Sequence, residues 1–230
     1  MKRALFVLIS TVFVTAPAGA QWTGMPVWNS PQGGSGLTIS GDYGVVGTAN
    51  DSSALRDLKG NTFGARAALG LGPLTLTAGV ASFKSDSLNS RTATYGGQVA
   101  LRLIGGSLIP VDVNVQGGVA ASGKVTSGGP SNLPALTRAT AAVGISVPLP
   151  TPGVSIEPYF APGLRYTHRS DATTGVTTNQ TKFGFTLGAN LGFSGTFGLH
   201  AAYDYEKTDT GNLATFGVGA HLGFKLPLGM

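Results

Sequence analysis

The sequence predicts an all-β fold, a closed antiparallel up-and-down transmembrane β-barrel of ten strands, with eight and twelve as the alternative counts. Three observations carry this. Apolar residues alternate with polar or tiny ones over ten segments, the period of a strand with two different faces. The connections between segments are alternately short and long. Every charged residue within a segment lies on the face opposite the apolar one. Composition agrees: 11% of the 230 residues are charged, against roughly 25% in an ordinary soluble domain. Thirty-six Gly without a collagen period, beside 42% apolar residues, argue against collagen and against disorder. The absence of Cys excludes disulfide scaffolds, zinc-thiolate sites and Cys nucleophiles.

Taken in order, Lys2-Arg3 precedes an apolar run from Ala4 to Val14, and Ala18-Gly19-Ala20 offers a small-residue cleavage site. Residues 1–20 therefore read as a secretory signal peptide, leaving Gln21 first. Losing Lys2 and Arg3 brings the formal charge of +5 down by two, too mild a balance to argue for nucleic acid. Beyond the signal, no stretch of about eighteen predominantly apolar residues offers a spanning helix. Residues 21–35 form a flexible leader, with Pro31 and Gly33-Gly34-Ser35-Gly36. Trp22 and Trp28 are expected at the periplasmic interface, a partly inserted plug being the alternative.

The barrel is expected over 36–226, with a tail at 227–230. Strands are placed near 37–48, 61–71, 74–83, 93–104, 110–121, 137–147, 154–167, 182–193, 197–206 and 214–226. These lengths approach the roughly 9–11 residues of a tilted membrane strand. Gly72-Pro73, Gly105 to Ile109, Pro148 to Gly153 and Ser194 to Thr196 make short turns. The connections at 49–60, 84–92, 122–136, 168–181 and 207–213 are longer and polar. This asymmetry puts both termini on the short-turn, periplasmic side. On the apolar face, Phe63, Tyr95, Tyr166, Phe183, Tyr205 and Phe216 gather at the long-loop end, and Phe193, Phe197 and Phe224 at the short-turn end. Two such belts around a Leu/Val/Ala band fit two bilayer interfaces. The opposite face is dominated by Gly, Ala, Ser and Thr and suits the inside of a narrow barrel. Closure is demanded because an open edge in hydrocarbon leaves backbone groups unsatisfied. Pro158 and Pro162 each delete a ladder donor, so a bulge or break is expected there.

The last strand ends Gly219-Ala220-His221-Leu222-Gly223-Phe224. With the signal peptide and the architecture, it resembles the small outer-membrane β-barrel proteins of diderm bacteria, the broad group of the OmpA transmembrane domain, OmpW, OmpX and the omptins. The resemblance covers about 36–226. It implies outer-membrane localisation, contact with outer-membrane lipid, and recognition by the barrel assembly machinery through Gly219, Leu222 and Phe224. Members commonly end at that aromatic, whereas here Lys225 to Met230 follow.

The inward charges are Asp42, Arg66, Arg102, Asp112, Arg138, Glu157, Arg165, Asp204, Glu206 and Lys225, five of each sign. Symmetric folding about Gly105 to Ile109 sets Arg102 opposite Asp112, and symmetry about 54 and 55 brings Asp42 to Arg66. A lumen laced by ion pairs follows, since paired charges are retained where bare ones are costly. Asn190 falls beside His200, and His221 across from it. Two imidazoles can serve a transition metal, but no carboxylate is well placed to complete a set, so no metal or other cofactor is assigned. His168, Asp171, Asp51, Asp86 and Asp209 are loop residues whose spacing fits no catalytic motif, and no enzymatic activity is expected. The function expected is that of an integral outer-membrane barrel, a narrow passive pore for small polar solutes. The alternatives are a non-conducting structural or surface-interaction barrel with external ligands at its loops and, third, an outer-membrane hydrolase.

Overall fold

Ten long strands account for most of the computed structural model, which describes residues 21–28, 34–48, 55, 57–88, 90–106, 109–126, 132–193 and 196–225. The signal peptide expected at 1–20 and the tail at 227–230 lie outside these. The barrel strands are β1 (Gly34–Thr48), β2 (Gly60–Gly72), β3 (Leu74–Ser85), β4 (Arg91–Gly106), β5 (Ile109–Ser122), β6 (Ala135–Ser146), β7 (Val154–Ser170), β8 (Thr177–Phe193), β9 (Phe197–Thr208) and β10 (Gly211–Phe224). Each pairs antiparallel with its sequence neighbours. The sheet closes where β1 meets β10, in register from Leu37 opposite Phe224 to Thr48 opposite Leu213. Closure leaves no edge along that seam, which is what hydrocarbon requires of a backbone without a helix.

Alternation sets the two surfaces as the period demands. Along β9, Gly198, His200, Ala202, Asp204, Glu206 and Thr208 are buried, while Phe197, Leu199 and Tyr203 face outward. Val80, Val99, Val143, Leu164 and Val218 are likewise exposed on the outer surface, with Phe63, Tyr95, Phe183 and Phe216 toward the long loops and Phe197 and Phe224 at the short turns. An apolar exterior around a polar interior inverts a soluble protein and is the surface of a membrane-spanning barrel.

Several boundaries depart from the sequence expectation. The connection expected at 207–213 shrinks to the turn at Asp209 and Thr210, because β9 and β10 pair as far as Thr208 opposite Gly211. The one expected at 168–181 narrows to 171–176, since β7 and β8 stay paired to Ser170 opposite Thr177. Thr and Asn in those ends are polar enough to read as loop, yet their backbone groups gain more by completing the ladder. The connection at 122–136 contains a small hairpin of its own, Val125–Thr126 with Asn132–Leu133.

The prolines act as a break without a bulge. β6 ends at Ser146 and resumes as Leu149–Thr151, and both pieces pair with β7 in one register. Between them, Val147 N–H still donates to the Pro158 carbonyl at 3.2 Å. The true irregularity is elsewhere, where β4 shifts register against β5 on both sides of Ile104. Gly105 permits it: its φ is 136°, and a Cβ there would overlap the Asp112 carboxylate and lie 3.1 Å from Arg102 Cδ.

Candidate functional site

The interior of the barrel is filled. Residues 21–28 enter it as a compact turn, closed by the Met25 N–H donating to the Trp22 carbonyl at 2.9 Å. Trp22 and Trp28 are only 1% and 4% exposed, and Met25 and Val27 are as deeply buried. Of the two placements open to Trp22 and Trp28 this is the plug and not the interface, and it corrects the reading of 21–28 as a flexible leader. Residues 29–33 of that leader lie outside the described residues. An indole placed among small side chains buries more apolar area inside the lumen than at a headgroup boundary. Trp22, Met25 and Trp28 form one apolar cluster with Ala81, Ala120, Tyr159 and Ala202 of the wall.

Glycines on the inward parity provide the room. A Cβ on Gly44 would overlap the Gly24 carbonyl, and one on Gly217 would come within 2.8 Å of both Pro26 Cδ and Trp28 Cζ2. Polar contacts lock the segment. Gln21 Nε2 donates to Asp204 Oδ1 at 3.0 Å, Trp22 Nε1 to the Gly79 carbonyl at 3.0 Å, and Thr62 Oγ1 to the Thr23 carbonyl at 2.9 Å. Trp28 lies edge-on to His200, with ring centroids 4.6 Å apart, and the Arg66 guanidinium sits 5.2 Å from its ring centre.

Nine of the ten sequence-predicted inward charges sit on barrel strands, and some meet across neighbouring strands while others meet across strands further apart. Arg66 Nε donates to Asp42 Oδ2 at 2.6 Å and its NH2 to Asp42 Oδ1 at 3.1 Å. The two are diagonal neighbours, with Gly64 directly opposite Asp42. Arg165 donates to Asp204 at 2.9 Å with both side chains 1% exposed, and Thr186 donates to the same carboxylate oxygen at 2.5 Å. Arg138 is paired with Glu206. Arg102 lies opposite Asn114, not Asp112, because of the register shift around Ile104; its guanidinium still stands 3.9 Å from Asp112. Lys225 is the correction: it follows the end of β10 and is exposed at the short-turn rim. Glu157 accepts from Ser146 Oγ at 2.8 Å and Asn190 Nδ2 at 3.0 Å.

His200 links this network to β10. Its Nε2 lies 2.7 Å from Asp42 Oδ1, and its Nδ1 lies 3.2 Å from His221 Nδ1. The ring centroids are 5.4 Å apart, well beyond the Nδ1 separation, so the imidazoles meet end to end and share a hydrogen bond. Asn190 is in register with His200 but turns its amide to Glu157. Among the described residues no group of three metal-ligating side chains comes together. Gly219, named in the sequence as part of an assembly signal, has a local task here: a Cβ on it would come within 2.5 Å of Asp42 Oδ1 and would overlap His200 Nε2. Leu222 and Phe224 point outward at the closing seam, opposite Ile39 and Leu37.

Toward the long loops a second apolar layer covers the plug, made of Val46, Phe83, Leu88, Leu133 and Leu213 with Leu58 and Val125 against it. The loop residues considered for hydrolysis stay apart. His168 Nδ1 contacts Asn179 at 2.5 Å, Asp209 is paired with Lys182, and Asp171 accepts from the Thr173 and Thr174 N–H groups of its own turn. Asp86 sits in the tight turn after β3, and Asp51 lies outside the described residues.

No family model and no curated protein matches the sequence. Among solved structures, the β-domain of the Bordetella autotransporter BrkA aligns at a TM-score of 0.51 and 11% identity, over 82% of this chain and 99% of that one. A bacterial polysaccharide outer membrane secretin aligns at 0.48 and 12%, over 83% of this chain and 66% of the other. Ail, the attachment invasion locus protein of Yersinia pestis, aligns at 0.36 and 16%, over 84% and 99%. The likeness to the autotransporter domain establishes the fold, a bacterial outer-membrane type of β-barrel.

Proposed function

We propose that this is an integral barrel of a bacterial outer membrane whose lumen is closed by its own N-terminal segment, and that it acts at its outward loops instead of passing solutes. The observation that carries the reading is the burial of Trp22, Met25 and Trp28 against the inner wall. A narrow barrel filled at its middle by indoles, crossed by ion pairs and covered by a leucine-rich layer argues against the continuous polar path that a passive pore needs. The apolar exterior with aromatic rims supports membrane insertion, and the expected signal peptide supports export. Lipid on the outside, the barrel assembly machinery acting on the final strand, and an external ligand at the loops are the partners this reading implies.

The test is single-channel recording of the refolded mature chain in a planar bilayer, beside a variant lacking residues 21–28. The intact barrel is expected to be silent, and the truncated one to show stable conductance steps. Steady conductance from the intact, folded barrel would overturn the closed-lumen reading and restore the passive pore.

A further inference from the structure

The buried position of Gln21 has a chemical consequence that rests on two readings already made, cleavage after Ala20 and insertion of residues 21–28. Cleavage there makes Gln21 the first residue, so its α-amine is new and, as an ammonium, carries a charge that the intact chain does not have at this position. The surroundings have no use for that charge. Gln21 is 1% exposed. Its amide nitrogen reaches Asp204, whose carboxylate already takes Arg165 and Thr186, and Glu206 next along the same strand face is paired with Arg138. Two cations and two carboxylates balance there. A third cation in a water-poor interior would stand without a counter-charge, the arrangement that burial penalises most. In addition, Gln21 Oε1 is buried with no hydrogen-bond partner among the described residues, so the carboxamide as it stands is only half satisfied.

We infer that Gln21 is the site of a modification, cyclisation of the mature N-terminus to pyroglutamate. The α-amine, in its neutral form, attacks the side-chain Cδ. A lactam C–N bond forms, the Cδ–Nε2 bond breaks, and Nε2 leaves as ammonia, carrying the proton released by the α-nitrogen. No oxidant or co-reactant is required, and no charge remains. The product keeps one N–H, on the former α-nitrogen, to donate to Asp204 in place of the departed amide. The five-membered ring also removes the rotamer freedom of a long polar side chain that burial would otherwise freeze. The plug thus begins with a neutral, compact, singly donating group matched to a site that has one open acceptor and no spare negative charge.

The experiment is peptide mass spectrometry of the N-terminus of the folded barrel purified from outer membranes, after amine labelling of the intact protein. The expected peptide begins at residue 21, is lighter than the unmodified sequence by one ammonia, and carries no label at its N-terminus. A peptide beginning at residue 21 with an intact, labelled Gln21 overturns the cyclisation while leaving the cleavage reading in place. A peptide beginning elsewhere overturns it through the cleavage reading. A second measurement separates cyclisation from plug insertion. Gln21→Asn keeps a carboxamide but cannot close the five-membered lactam. Because the two Trp of the chain are both in the plug, acrylamide quenching of intrinsic fluorescence reports its seating. Quenching at least twice as strong in Gln21→Asn as in the natural sequence is expected, whereas equal quenching would show that the ring contributes nothing to holding the plug. Strong quenching in both would sink plug insertion itself.

Discussion

The two walls of the lumen are written in the same alternating pattern and behave differently. On β1, β2, β9 and β10, among the described residues, no buried side-chain polar atom lacks a hydrogen-bond partner; Asp42, Arg66, His200 and Asp204 answer one another or the plug. On β3, β4 and β5, Thr75, Thr94, Gln98, Asp112, Asn114 and Gln116 each keep at least one buried atom with no partner. The difference mostly follows charge, with Asp112 the exception, its carboxylate 3.9 Å from the Arg102 guanidinium. An unpaired ion in an interior is costly enough that its partners must be fixed in register, while a neutral hydroxyl or carboxamide left without a partner costs less. Both walls seat residues 21–28, the charged one through Thr62, Arg66 and Asp204 and the amide one through Gly79, Ala81, Ala120 and Ser122, but only the first has all its buried polar atoms answered.

The sharpest break of this contrast is Asp204→Ala. It strands Arg165, whose side chain is 1% exposed, and the barrel is expected to lose about 3–5 kcal/mol in urea unfolding from lipid vesicles. The double change Arg165→Met with Asp204→Leu is expected to lose less than the single one; an equal or larger loss would mean that the pair is not what the charged wall depends on.

On the outer surface the contrast between the walls has no counterpart. Val99 behind the amide wall and Val143 on β6 are 37% and 44% exposed to lipid. Arginine at either is expected to cost about 2–4 kcal/mol near the bilayer midplane, and unimpaired folding of both variants would contradict the facing assignment. Smaller still is the effect on the amide wall. Gln98→Leu or Gln116→Leu removes a carboxamide that has no partner, so stability should change by less than about 1 kcal/mol. A loss as large as that of Asp204→Ala would erase the distinction between the walls.

The least effect belongs to the exposed turn between β7 and β8. The N–H of Thr174, then that of Thr173, donates to the Asp171 carboxylate and holds it below the usual carboxylate range. A lowered folded value means that the contribution to the turn is fully present above the ordinary value of about 3.9 and is lost as pH falls through the folded one. Amide exchange at Thr173 and Thr174, corrected for intrinsic rate, should lose protection only at that acid end, and Asp171→Ala should lose it at every pH. Protection unchanged in Asp171→Ala would mean that the carboxylate does not hold the turn.

The sequence by itself determined the strand period, the number of strands, the outward and inward faces and the inward position of nine of the ten charges. These depend on residues two apart, whose side chains share a face wherever the backbone is extended. Which charges meet was only partly legible. Symmetric folding brought Asp42 to Arg66, but the shift at Ile104 moved Arg102 opposite Asn114, and a register shift depends on a single backbone conformation at Gly105. The pairings of Arg138 with Glu206 and Arg165 with Asp204 join strands far apart in the chain, across a lumen whose shape no local pattern specifies. The sequence left the plug as an alternative to an interfacial placement, and tertiary structure decided between them. Residues 21–28 have no period, and their seat is assembled from Gly44, Gly64, Gly79 and Gly217 on four different strands. The available signal was a pair of tryptophans ahead of a barrel whose inward positions are too small to fill it. Only closure of the sheet brings those empty positions around one space, and only then does burying two indoles there outweigh leaving them at the membrane surface.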